Sequence, residues 1–170
     1  MIGKTPAVLF VCTANICRSP MAAALFRAKL REVAGGETWS IDSAGTWAKD
    51  GQPVSGNSVK AMETRGLDIR KHRSKTVSKA LLALYDLILV MEPGHNEALR
   101  VEFPQAAGRI FLLSELSGPP VAIDDPYGKS LDRYEKTAVE MEGYIDAAFP
   151  KILEQFAGYL GDTLKIPISS

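Results

Sequence analysis

Cysteine is scarce in this chain: of 170 residues only Cys12 and Cys17 carry a thiol, and they lie five positions apart. That excludes a disulfide framework as the basis of the fold. Histidine is equally scarce, with His72 and His95 alone. Two imidazoles and no clustered thiols argue against a structural zinc site. Neither sign of charge is in excess, with 20 basic and 20 acidic residues giving a formal net charge of zero. Such a balance favours neither nucleic acid nor an anionic membrane as a partner. The longest apolar stretch, residues 80–91, is interrupted by Asp86 and is too short to span a bilayer. Residues 1–6 show no long apolar region after Lys4, so no secretory signal is expected and the reading is cytoplasmic.

The remaining composition, 46% hydrophobic and 24% charged, suits one soluble globular domain with a sizeable core. No repeat or linker divides residues 1–170, so one domain with its core in about residues 7–160 is expected. Short β-like runs alternate with helical patterns. Strands are expected at residues 7–11, 38–44, 87–91 and 109–113. Helices are expected at residues 19–34, 58–65, 78–84 and 93–101, and again over 131–160, with a kink or break at Pro150. Residues 165–170 are expected to fray. The alternation predicts an α/β fold: a four-stranded parallel sheet with helices on both faces. Such sheets bind ligands beyond the carboxyl ends of their strands, where Cys12, Ser43 and Glu92 fall.

The most telling segment is residues 8–20, Val-Leu-Phe-Val-Cys-Thr-Ala-Asn-Ile-Cys-Arg-Ser-Pro. An apolar strand ends at a thiol. Five residues later comes Arg18, and Ser19-Pro20 reads as the N-cap and first residue of a helix. A loop of this kind turns its backbone N–H groups and a helix N-terminus toward an oxyanion. The same field makes a cysteine a better nucleophile. Arginine can grip two phosphate oxygens at once. The Cys-x5-Arg spacing alone is weak, and a cysteine ending a buried strand is more often core filler. The flanking strand and helix favour a phosphate loop that forms a cysteinyl-phosphate.

Such chemistry needs an acid for the leaving oxygen and a base for water. Asp124-Asp125-Pro126-Tyr127-Gly128 offers one between a loop and a helix. Asp125 fits better than Asp124 because Pro126 fixes the backbone beside it. The segment alone is also compatible with an Asx-turn that only caps the last helix.

Residues 8–26 closely resemble the phosphate loop of the low-molecular-weight protein tyrosine phosphatases. Four further segments resemble that family in the same order: residues 42–46, 72–74, 86–91 and 125–128. The resemblance implies that Cys12 attacks phosphorus, that Arg18 and the loop Thr13, Ala14, Asn15, Ile16 and Cys17 hold the phosphate, and that Asp125 is the acid. It implies that Ser19 donates to the Cys12 sulfur, and that Ser43 and His72 support Asn15. It implies that Cys17 can pair with Cys12 under oxidation and spare it from irreversible damage. Trp47 and Tyr127, with Ile16, are the expected apolar walls for a substrate ring. A phosphorylated protein is the expected substrate and phosphate-like oxyanions the expected ligands. No cofactor or metal is implied, and a monomer or weak dimer is expected.

The chain departs from the family where Ala14 replaces a usual glycine and Ala23 a usual glutamate. The alanine at 14 must keep a negative φ or carry strain. Tyr127 stands alone, without the second tyrosine of animal members, which looks bacterial. A branch of the family dephosphorylates arginine and resembles this chain in Asp-Pro-aromatic-Gly and the segment after it. That branch typically has threonine at the position of Ile16, and isoleucine favours a ring over a polar guanidino group. Thioredoxin-coupled arsenate reductases have a similar loop, but they need cysteines late in the chain, and none follows Cys17. A phospho-binding module without turnover would lack the nucleophile or the acid, and both are present.

Overall fold

A computed structural model describes residues 5–156. Four strands form one parallel sheet in the order β2-β1-β3-β4. They are β1 (Ala7–Cys12), β2 (Ser40–Gly45), β3 (Leu87–Val90) and β4 (Ile110–Leu112). Every residue of β1 and β3 is buried, as central parallel strands require. Side chains alternate between two cores. Val8, Phe10, Leu87 and Leu89 face one side, and Leu9, Val11, Ile88 and Val90 the other.

Helices cover both faces. The first core is closed by α1 (Arg18–Leu30), α2 (Gly56–Glu63) and α5 (Leu131–Gln155) through Met21, Phe26, Met62, Met141 and Phe149. The second is closed by α3 (Lys79–Leu82) and α4 (Pro93–Glu102) through Leu82 and Leu99. The expected α/β sheet with helices on both faces is the observed fold. The chain leaves β1 toward β2 on one side and returns to β3 on the other. This switch point places a crevice at the carboxyl ends of β1 and β3.

Three expectations are corrected. Ser19 is not the N-cap of α1: the helix starts at Arg18, Cys17 occupies the cap without a side-chain bond, and Ser19 is engaged elsewhere. The expected start of β2 at residue 38 is displaced by a 3-10 turn over Gly36–Thr38. The Gly35 N-cap of that turn has a left-handed φ of 78°, which suits glycine. Finally, of the kink or break expected at Pro150, the break does not occur: α5 continues to Gln155. Proline removes one helical N–H, but Phe149, Ile152 and Leu153 on either side are buried in the first core. Packing of the amphipathic face outweighs that local loss. Residues 157–160 of the expected helix and the expected fraying of 165–170 lie outside the described residues. No helix among the described residues is long and apolar enough to cross a membrane.

Candidate active site

Cys12 ends β1 and is 3% exposed. The chain then turns through residues 13–17 and enters α1 at Arg18. Neighbouring segments strap this loop down. The N–H of Thr46 donates to Cys12 O at 2.8 Å, that of Trp47 to Thr13 O at 3.0 Å, and that of Ser55 to Ile16 O at 2.9 Å. Gly45 allows this approach, because a Cβ there would lie 2.4 Å from the Thr13 carbonyl oxygen. Ala14 keeps a negative φ. Among the described residues Asn15 is the one non-glycine in the left-handed region, with φ 59°. Asparagine tolerates that conformation better than most residues.

Asn15 is fully buried, and its side-chain polar atoms and its carbonyl are engaged. Its Nδ2 donates to Ser19 Oγ at 2.8 Å and to Ser43 Oγ at 2.9 Å. Its Oδ1 accepts from Lys75 N at 3.0 Å, and its carbonyl accepts from His72 Nε2 at 2.7 Å. A carbonyl only accepts, so His72 carries its proton on Nε2. Burial holds the half-buried His72 below the usual imidazole range, so its ring is neutral near pH 7.

Ser19 Oγ lies 3.0 Å from Cys12 Sγ and 3.4 Å from Ala44 O. Asn15 donates to that oxygen, so the hydroxyl proton is shared between the Ala44 carbonyl and the sulfur; a Cys12 thiolate only accepts and can draw it. The expected network of Asn15, Ser19, Ser43 and His72 is thus assembled around Cys12.

Arg18 is 1% exposed. Its Nη1 donates to Glu92 Oε1 at 2.7 Å and to Ile123 O at 2.7 Å. Its Nη2 lies 3.6 Å from Asp125 Oδ2. Its Nε is buried with no hydrogen-bond partner. One edge of the guanidinium is therefore clamped, while Nε remains available to an oxyanion.

Asp125 is half-exposed, and its Oδ1 accepts from Tyr127 N at 3.1 Å. The Asx-turn is real, and its other oxygen faces Arg18. The N-cap of α5 is Ser130, not Asp125. Tyr127 (64% exposed) and Trp47 (85% exposed) stand at the surface, whereas Ile16 is partly buried against the first core.

Cys17 is buried and its thiol is free. Its Sγ donates to Ser55 Oγ and also meets Tyr134 Oη, each at 3.4 Å. Burial pushes this thiol up from its ordinary pKa. Burial also pushes Tyr134 up to about 12.

Sequence reasoning gave no role to Glu92, His95, Ser55 or Tyr134. Glu92 was visible at the carboxyl end of the β3 run, where it caps α4, and His95 follows three positions later on the first turn of α4. His95 Nε2 lies 2.8 Å from Thr13 Oγ1 and 3.5 Å from Glu92 Oε2. Burial drives His95 down to about 4. Ser55 and Tyr134 carry no local signal and are found only by folding.

Comparison with known proteins matches residues 7–156 to the model of a family described as low molecular weight phosphotyrosine protein phosphatase. A probable low molecular weight protein-tyrosine-phosphatase from Ralstonia nicotianae is 37% identical over 145 residues, covering 85% of this chain and 94% of that protein. A protein-arginine-phosphatase from Geobacillus stearothermophilus is 34% identical over 146 residues, covering 85% of this chain and 95% of that protein. The crystal structure of a low molecular weight protein tyrosine phosphatase from T. tengcongensis superposes with a TM-score of 0.81. It is 40% identical, covering 86% of this chain and 99% of that one.

Proposed function

This chain belongs to the low molecular weight phosphotyrosine protein phosphatase family, and on that premise we propose that it hydrolyses phosphotyrosine in proteins through a cysteinyl-phosphate. The observation that carries the reading is the clamped guanidinium of Arg18. Glu92 and the Ile123 carbonyl hold one edge, and Nε stays buried without a protein partner in the loop that begins at Cys12.

In the first step the Cys12 thiolate attacks phosphorus. An S–P bond forms, the P–O bond to the phenol breaks, and Asp125 gives its proton to the leaving oxygen. Arg18 and the N–H groups of residues 13–18 hold the equatorial oxygens, more tightly as charge spreads in the transition state. In the second step water attacks phosphorus, Asp125 takes a proton from it, and the S–P bond breaks to return the thiolate. Ser19 donates to the departing sulfur and stabilises its charge. The positive field comes from the loop and Arg18, and the reaction uses no metal or cofactor.

Ile16, Trp47 and Tyr127 form the walls for the substrate ring. A threonine hydroxyl at position 16 would suit a guanidino group, whereas the isoleucine side chain suits a phenyl ring. Arginine dephosphorylation on the same scaffold remains the second reading, favoured by the arginine phosphatase relative. We place the enzyme in the cytoplasm as a bacterial-type, single-domain monomer or weak dimer, acting on phosphorylated proteins.

The test is phosphate release by the reduced protein from matched phosphotyrosine and phosphoarginine peptides, with Cys12→Ser as control. Preference for phosphotyrosine that vanishes in the control is the expected result. Preference for phosphoarginine overturns the substrate. No turnover of either overturns the enzyme reading.

A further inference from the structure

Behind the phosphate loop, on the His72 side, lies a cavity of about 320 Å³. Its walls come from α1 through Ala23 and Arg27, from β2 through Asp42, and from the segment 68–75. Four of its residues are cations: Arg27, Lys71, Arg73 and Lys75. They face two carboxylates, Asp42 and Asp68. Both carboxylates are already engaged. Lys75 Nζ pairs with Asp42, and Arg70 forms a two-pronged contact with Asp68 at 2.8 and 3.0 Å. Asp42 also acts on Arg27 and Asp68 on Lys71, but four cations against two carboxylates leave the cavity net positive. Ala23 contributes only a methyl group and leaves room.

His72 also lines this cavity. Its Nε2–H is committed to the Asn15 carbonyl at 2.7 Å. In the neutral ring the remaining nitrogen, Nδ1, has a lone pair and no proton. An anion in the cavity would favour a second proton there, and Nδ1–H would then donate to the anion. The groups that act on His72 are Asp42 from β2, Arg27 from α1 and Lys75 from its own segment. The same segment reaches the loop a second time, through Lys75 N on Asn15 Oδ1. A ligand in the cavity would thus sit one hydrogen bond away from the left-handed residue that shapes the phosphate loop.

We propose that this cavity is a second, non-catalytic site for a phosphate-type oxyanion, bound by Arg27, Lys71, Arg73 and His72, and coupled to the phosphate loop through Asn15. The anion is either free inorganic phosphate or a phosphoryl group borne on another molecule. The size fits either, since a cavity of a few hundred Å³ is in the range of small-ligand sites.

Inorganic phosphate is titrated into the reduced protein by calorimetry while the His72 ring is followed by proton–nitrogen NMR. Three proteins are compared: wild type, Arg18→Ala and Ala23→Glu. Wild type should bind two phosphates per chain. Arg18→Ala should keep one, and its titration should still shift the His72 resonances and raise the pH at which the ring takes its second proton. Ala23→Glu puts a carboxylate into the cavity and should weaken that site about tenfold, because like charges repel at close range. It should leave the catalytic-loop site in place. O-phosphoserine run in parallel separates the two sources: tighter binding than inorganic phosphate points to a borne phosphoryl group, and weaker binding to the free ion.

One phosphate per wild-type chain that is lost in Arg18→Ala overturns the proposal. So does a His72 ring unmoved by phosphate in Arg18→Ala, or undiminished second-site binding in Ala23→Glu. The Ala23→Glu comparison stands even where Arg18→Ala does not fold. Loss of the loop site alone would instead count against the phosphatase reading.

Discussion

Cys12 Sγ lies 3.0 Å from Ser19 Oγ, and that same oxygen accepts from Asn15 Nδ2 at 2.8 Å. A Cys12 thiolate only accepts, so the one hydroxyl proton of Ser19 can turn to it from the Ala44 carbonyl 3.4 Å away. A hydrogen bond to a charged partner contributes about 1.5–3 kcal/mol, which is roughly a 10- to 100-fold effect on rate. Ser19→Ala should slow breakdown of the phosphoenzyme by that amount and leave its formation less affected. Rapid-quench kinetics should then show a burst of phenol release and accumulated cysteinyl-phosphate. A fall in the first step alone would contradict the assignment.

Asn15 combines a φ of 59° with bonds to Ser19, Ser43, Lys75 and His72. Asn15→Ala removes the side-chain bonds and leaves a Cβ in the left-handed region. The expected loss is about 2–4 kcal/mol of stability, from roughly 1–2 for the backbone and the rest for stranded polar partners. Asn15→Gly should recover the backbone share only. Thermal unfolding of the two variants measures the difference.

Ile16→Thr should shift preference from phosphotyrosine toward phosphoarginine. A change of this size in an apolar wall is worth about 1–3 kcal/mol, so the ratio of kcat/KM values should move by at least about tenfold. An unchanged ratio would remove Ile16 from the specificity argument.

His95 is held near 4 by burial, below the ordinary imidazole value. Its folded pKa is depressed, so the unfolded chain binds the extra proton first as pH falls. The stability contribution is complete above the ordinary value of 6.5 and is lost as pH falls from there toward 4. The size is on the order of 3 kcal/mol. His95→Gln should flatten this part of the pH–stability curve, measured by urea unfolding between pH 7 and about 4. A curve of unchanged shape would mean that the acid loss arises elsewhere.

Cys17 is held as a neutral thiol by burial, and it contacts Ser55 and Tyr134. Peroxide would convert Cys12 to a sulfenic acid. Attack by the Cys17 sulfur would expel water and close a disulfide that thiols can reduce. Wild type should regain activity after peroxide and thiol treatment, and Cys17→Ser should not. Equal recovery of both removes the protective role.

Local pattern was enough for much of the molecule. Continuous apolar runs marked the buried strands β1 and β3, because a central parallel strand meets core on both sides. Alternating strand and helix signals implied a parallel sheet, and that sheet type predicts a site where Cys12 lies. The thiol, the arginine six positions on and the following helix are all encoded within a few residues. What escaped was encoded at long range. Ser19 looked like a cap, but a hydroxyl takes whichever partner the fold brings near, and here that is Cys12. Proline at 150 signalled a kink or a break, but burial of the surrounding α5 face kept the helix continuous. Glu92 reaches Arg18 across 74 positions and Tyr134 reaches Cys17 across 117, separations no local periodicity can report. The cationic cavity joins α1, β2 and the segment around His72, which are neighbours only once the sheet has formed. The sequence alone therefore determined the loop from Cys12 to Arg18 and the layered fold, since both follow from short-range spacing and hydrophobic period. Tertiary structure decided how Arg18 is clamped, which group faces the sulfur, and what lies behind the loop, since those depend on contacts between distant segments.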